Sequence, residues 1–274
     1  MTARPSATLI GKVRDENRAA LVAYLPVGFP SVDGSIDAML ALTDPGDGPG
    51  VDMIEIGMPY SDPMMDGEVI QEATSKALKR GVRTRDIFTA VEKVANTGTY
   101  ASVMIYWNLI EHYGVDAFAR DLANAGGSGV ITPDLTPDEA DPWMIATDDH
   151  GLDRVFLVAP SSTDARLAMT TQACRGWVYA TSVMGVTGAR ARTSDAAPIL
   201  VQRVREVAPN LPVGVGLGVS NGEQAAAVAQ FADAVIVGSA LVTTLLEAEA
   251  AGSTDLGALR SLVTDLAKGV RTHA

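Results

Sequence analysis

Short apolar runs alternate along this chain with longer amphipathic segments. The runs are ALVAY (20–24), VDMIEI (51–56), ASVMIY (101–106), GVIT (129–132), RVFLV (154–158), WVYA (177–180), PVGVG (212–216) and AVIV (234–237). They are rich in β-branched residues, and several are apolar throughout. That pattern predicts parallel strands buried on both faces.

Helical periodicity fills the gaps. GEVIQEATSKALKRG puts Val69, Ile70, Ala73, Ala77 and Leu78 on one stripe and ends at Gly81, suited to a C-terminal cap. TPDEADPWMIA predicts a helix opened by Thr136 as N-cap, with Pro137 first and Glu139 completing a capping box. VDAFARDLANAGG, NGEQAAAVAQ and SALVTTLLEAEAAG read as further helices. Segments 6–16 and 256–271 lie outside the repeat. Eight β/α units predict a (β/α)8 TIM barrel with an extra N-terminal helix and a C-terminal helix. The alternative, a doubly wound open sheet, needs a glycine-rich turn after the first strand, and LPVGFPS fits it poorly. No linker divides the chain, so residues 1–274 are expected to form a single domain; TDPGDGPG (43–50) reads as a surface loop.

Composition narrows the function. A net charge of −12 over 274 residues, without a basic stripe, disfavours nucleic acid and anionic membranes as partners. No run of 18 apolar residues occurs and the N-terminus lacks a secretory apolar core, so a cytoplasmic protein is expected. Cys174, alone of its kind, has no partner for an internal disulfide.

Barrel enzymes carry their chemistry at the C-terminal ends of the strands. There the sequence reads EIGMPYSDPMMDG, residues 55–67. Side chains alternate along a strand, so if Ile54 and Ile56 face the helices, Glu55 enters the barrel mouth. A carboxyl buried there without a cation has a raised pKa, as a proton shuttle requires. Its competing reading is a buried ion pair. Asp66 stands in the loop that follows, either as a second functional carboxylate or as the N-cap of the next helix.

Glycines gather after the last three strands. VGVGLGVS carries Gly214, Gly216 and Gly218, VGSAL carries Gly238 and Ser239, and MGVTGARARTS (184–194) carries Gly185 and Gly188. Each cluster alone could be a tight turn. Together they suggest a phosphate-handling mouth, with the third as an active-site lid. The five lysines, Lys12, Lys76, Lys79, Lys93 and Lys268, all fall in predicted helices, which disfavours Schiff-base chemistry. His112, His150 and His273 show no ligand spacing, so no metal is expected. Tyr24, Tyr106 and Tyr179 sit in or at the ends of predicted strands and serve either chemistry or core packing. The residues themselves reach acid–base chemistry on a phosphorylated substrate.

The 55–67 segment resembles the signature of the tryptophan synthase alpha subunit family, E-[LI]-G-x-P-[FY]-S-D-P-x-x-D-G. The resemblance extends to YLPVGFP, MIYWN, GVITPDL, FLVAPSS, VYATSVMGVTGAR, VGVGLGVS and VIVGSALV. It implies retro-aldol cleavage of indole-3-glycerol phosphate, with Glu55 and Asp66 catalytic. It also implies a substrate pocket of Tyr24, Met104, Tyr106, Ile131, Leu157 and Tyr179, and Thr187 as a lid residue. The phosphate would sit on Gly188, Gly216, Gly218, Gly238 and Ser239. The implied partner is a beta subunit holding pyridoxal phosphate in an αββα assembly, so this chain would need no cofactor of its own. The implied contact face includes Pro59, Asp62, Asn108, Asp134 and Pro137. Tyr24 and Tyr60 stand where phenylalanine is common in that family, Pro133 where smaller residues are usual, and the 43–50 loop is longer. Two rival readings are a stand-alone barrel lyase releasing free indole and a non-catalytic regulatory barrel.

Overall fold

The computed structural model describes residues 5–181 and 196–272. Nine strands form among them: β1 (Ala20–Pro26), β2 (Met53–Gly57), β3 (Tyr100–Met104), β4 (Gly129–Ile131), β5 (Asp153–Val155), β6 (Leu157–Val158), β7 (Val178–Thr181), β8 (Val213–Gly216) and β9 (Ala234–Val237). Every ladder between them is parallel, and the order is β5-β4-β3-β2-β1-β9-β8-β7-β6. The two ends of that order are consecutive pieces of one chain segment, so the sheet closes into a barrel. The helices are α1 (Ser6–Asp15), α2 (Val32–Thr43), α3 (Glu68–Lys79), α4 (Asp86–Asn96), α5 (Trp107–Tyr113), α6 (Val115–Asn124), α7 (Asp141–Asp149), α8 (Asp164–Ala173), α9 (Ala196–Val207), α10 (Gly222–Ala229), α11 (Ser239–Ala250) and α12 (Gly257–Gly269). The fold is a TIM barrel.

Three sequence-based expectations change in detail. The run 154–158 is two short strands, because Asp153–Val155 pair with β4 while Leu157 and Val158 pair with β7. Between them Phe156 turns outward and is buried in the helical layer. The third strand stops at Met104, and Tyr106 becomes the residue that precedes α5 in the N-cap position. The capping box at Thr136 does not open a long helix. Pro137–Glu139 form one 3-10 turn with no side-chain cap, and α7 begins at Asp141.

Two apolar clusters divide the interior. The larger lies between strands and helices and holds Ile54, Ile56, Val103 and Val130. The smaller fills the barrel lumen with Val22, Met53, Ile131, Val155, Trp177 and Ile236. Leu9, Ile10 and Val13 of α1 belong to the lumen cluster, so the N-terminal helix plugs the bottom of the barrel. Its first turn is fixed by Asp153, whose buried carboxylate accepts hydrogen bonds from the Ser6 backbone N–H and hydroxyl at 2.5 Å. The lower half of the lumen is therefore solid, and only the mouth is left for chemistry. No described helix is long and apolar enough to cross a membrane.

Candidate active site

Ile54 and Ile56 pack in the outer cluster and Met53 in the lumen. Alternation therefore turns Glu55 inward. The strand runs on to Gly57, so Glu55 sits in the middle of β2, one step deeper than its place in the apolar run suggests. It pairs in register with Tyr24 on β1 and Ser102 on β3. Glu55 is 1% exposed, and its Oε2 has no hydrogen-bond partner among the described residues. Burial alone pushes its pKa up to about 8, with no cation pulling it back. The ion-pair reading of Glu55 thus fails among the described residues.

Asp66 follows in the loop between β2 and α3. The residue preceding α3 in the N-cap position is Gly67, which provides no side-chain cap. Asp66 instead touches the helix through its backbone carbonyl, which accepts from the Gln71 side-chain amide at 2.8 Å. Its carboxyl lies near enough to Tyr24 and Tyr106 to raise both phenols, beyond the effect of burial. Partial burial raises its pKa to about 6.

Both carboxylates are close enough to Tyr24 to raise that phenol electrostatically, after burial itself. Glu55 acts likewise on Tyr179. Met104, Leu157 and Tyr179 are partly buried against the lumen cluster, which contains Ile131. Met104, Ile131, Leu157 and Tyr179 thus share the lumen cluster, and Glu55 and Tyr24 pair in register beside them, with Asp66 near Tyr24. The rings of Trp177 and Tyr179 lie 5.7 Å apart.

The glycines have local explanations too. A Cβ on Gly216 would lie 2.6 Å from the Tyr179 hydroxyl oxygen, and one on Gly214 would strike the Trp177 ring. Gly218 has a φ of +67°, a left-handed conformation that favours glycine. A Cβ on Gly238 would come within 3.3 Å of the Tyr24 side chain. The two helix starts nearby differ. At α10, the Asn221 side chain caps Gln224 and the Asp265 carboxylate takes the Gly222 N–H. At α11, which opens Gly238–Ser239, no side chain caps the end. Of the two, α11 has its leading N–H groups free of a carboxylate cap among the described residues, the arrangement that attracts an anion.

Thr187 and Gly188, with the rest of the 184–194 segment, lie outside the described residues. Among the expected contact residues, Asp62, Asn108 and Asp134 are exposed, Pro137 is half-buried and Pro59 is buried. Asp134 has a task of its own: both carboxylate oxygens accept from the Trp107 backbone N–H at the start of α5. Sequence reading missed this cap and the hydroxyl of Tyr106, which accepts from the Met64 and Met65 amides. Neither leaves a signal in local spacing, because the Tyr106 bonds join residues about forty positions apart.

The family model described as tryptophan synthase alpha chain matches residues 10–271. The chain belongs to the tryptophan synthase alpha chain family. It is 60% identical to the tryptophan synthase alpha chain of Salinispora tropica over 263 residues, covering 96% of each chain. A structure of Mycobacterium tuberculosis tryptophan synthase superposes with a TM-score of 0.91 at 55% identity, covering both chains fully. The tryptophan synthase complex from Pyrococcus furiosus gives 0.80 at 30% identity, covering 92% of this chain and 98% of that one. Membership of the tryptophan synthase alpha chain family makes the chain a lyase of tryptophan biosynthesis.

Proposed function

We propose that this chain cleaves indole-3-glycerol phosphate to indole and glyceraldehyde 3-phosphate. One observation carries the reading: two carboxyls share the mouth with pKa values near 8 for Glu55 and near 6 for Asp66. Between those values Glu55 is an acid and Asp66 an anion, the division of labour that environment-tuned carboxyl pairs supply.

The chemistry follows from that division. The Glu55 carboxyl gives its proton to C3 of the indole ring, which becomes an iminium. The Asp66 carboxylate stabilises the positive charge at the ring N–H. The bond from C3 to the glycerol side chain then breaks and its electron pair returns to the ring. The Glu55 carboxylate accepts the hydroxyl proton as the aldehyde forms, so the acid is regenerated. The ring itself is the electron sink, which is why neither an amine nor a metal is required. Tyr24, Met104, Ile131, Leu157 and Tyr179 would wall the indole. The phosphate would rest at Gly216, Gly218, Gly238 and Ser239, with Gly188 and Thr187 closing over it.

The chain would act as one domain in the cytoplasm, without a cofactor of its own. Its partner would be a tryptophan synthase beta subunit carrying pyridoxal phosphate, in an αββα assembly. The exposed Asp62, Asn108 and Asp134, with Pro59 and Pro137, support a contact face at the barrel mouth, which is where indole would leave. Incubation with indole-3-glycerol phosphate, with and without a beta subunit, tests the proposal. Indole release that rises with the partner is expected, and no release in either mixture would refute it.

A further inference from the structure

Tyr106 stands where the end of β3 meets the loop that carries Asp66. Its hydroxyl accepts from the Met64 N–H at 3.0 Å and from the Met65 N–H at 3.3 Å. Its ring stacks on Tyr60, with centroids 4.5 Å apart and planes 23° from parallel. One side chain thus grips the 58–67 loop at both ends, at Tyr60 by its face and just before Asp66 by its oxygen. The grip has a firm base. Tyr106 is buried, it stands at the N-cap position of α5, and the next residue is held by the Asp134 carboxylate. The loop itself has no regular structure between Met58 and Gly67, while Met64 within it is 75% exposed.

We infer that Tyr106 is a positioning residue that sets the place of the Asp66 carboxylate by clamping this loop, and not chiefly a wall of the substrate pocket. This rests on the proposed role of Asp66 in the lyase reaction. A phenol oxygen has two lone pairs, and two backbone amides draw on them. The clamp fixes the 63–64 and 64–65 peptide groups, the second one residue short of Asp66, so a shift there carries along the chain to the carboxylate. Misplacement of a catalytic group by about 1 Å costs as much as a hundredfold in rate. The stack with Tyr60 adds a contact that survives removal of the hydroxyl, which allows the two grips to be separated.

The test is a double-mutant cycle on indole release from indole-3-glycerol phosphate. Tyr106→Phe keeps the ring and the stack and removes the acceptor. The expected result is a roughly ten- to hundredfold fall in kcat with KM changed less than about threefold. In an Asp66→Asn background the same substitution should cost less than about threefold, because there is no carboxylate left to place. Equal losses in both backgrounds, or a loss confined to KM, would overturn the inference and make Tyr106 a direct substrate contact. Hydrogen exchange at the Met64 and Met65 amides provides a second reading that needs no turnover. It should quicken by roughly tenfold or more in Tyr106→Phe, and unchanged exchange would overturn the clamp. Wild-type protein that releases no indole, together with quickened exchange in Tyr106→Phe, would fault the lyase reading and leave the clamp standing.

Discussion

Glu55 on β2 lies opposite Tyr24 on β1 in a parallel ladder, and the carboxyl between Tyr24 and Ser102 is buried with no cation against it among the described residues. Nothing in that setting favours the ionised form. The fold holds a group that resists losing its proton, which suits an acid and weakens the barrel at neutral pH.

That cost can be measured. The folded pKa of Glu55, about 8, lies above the ordinary glutamate value of 4.5. Its protonated form therefore favours folding, a contribution fully present below pH 4.5 and lost as pH rises through 8. At pH 7 the penalty relative to an unperturbed carboxyl is on the order of 3 kcal/mol. Glu55→Gln should thus be more stable than wild type in urea unfolding, by up to about that amount, with a gap that widens from pH 5 to pH 8. A constant gap across that range would contradict the burial of an uncompensated carboxyl.

The plug at the bottom of the barrel gives an opposite case. Asp153 accepts two hydrogen bonds from Ser6 at the start of α1 and is 1% exposed. Asp153→Ala removes both and leaves the buried donors unmatched, so stability should fall by about 2–4 kcal/mol. The mouth is at the other end of the lumen, so KM for the substrate should change less than about threefold while the variant stays folded. Stability within about 0.5 kcal/mol of wild type would show that α1 is not held this way.

The phosphate assignment has its own variant. Gly238→Asp sets a negative side chain at the uncapped start of α11, with its Cβ within 3.3 Å of the Tyr24 side chain. A rise in KM of at least roughly tenfold is expected, from repulsion of the dianion and from pressure on the pocket wall. Unchanged KM would remove the α11 start from the substrate site.

Much of this was legible in one dimension, for reasons that particular residues make plain. AVIV at 234–237 is a strand with those bounds, because a fully buried parallel strand has no polar position to blur its ends. Glu55 could be aimed from Ile54 and Ile56, since alternation needs only the neighbours. The helix at Thr136 was misplaced because two starting signals stand close together, the box at 136–139 and Asp141 with Pro142. Packing of Trp143 and Ala146 into the core chose the second. The break at Phe156 was hidden because the run stays apolar while its pairing partner changes from β4 to β7. The clamp by Tyr106 was out of reach because it joins residues brought together only by barrel closure.

The central claim is that Glu55 works protonated and Asp66 works ionised, and the pH dependence of kcat/KM for indole release from indole-3-glycerol phosphate tests it most directly. Wild type should give a bell, with its acid limb near pH 6 from Asp66 and its alkaline limb near pH 8 from Glu55. Glu55→Gln should fall at least roughly a hundredfold, and the residual activity should lose the alkaline limb. Asp66→Asn should be severely impaired and lose the acid limb. A wild-type profile that is flat from pH 5 to pH 9, or near-normal turnover in either variant, would contradict the account.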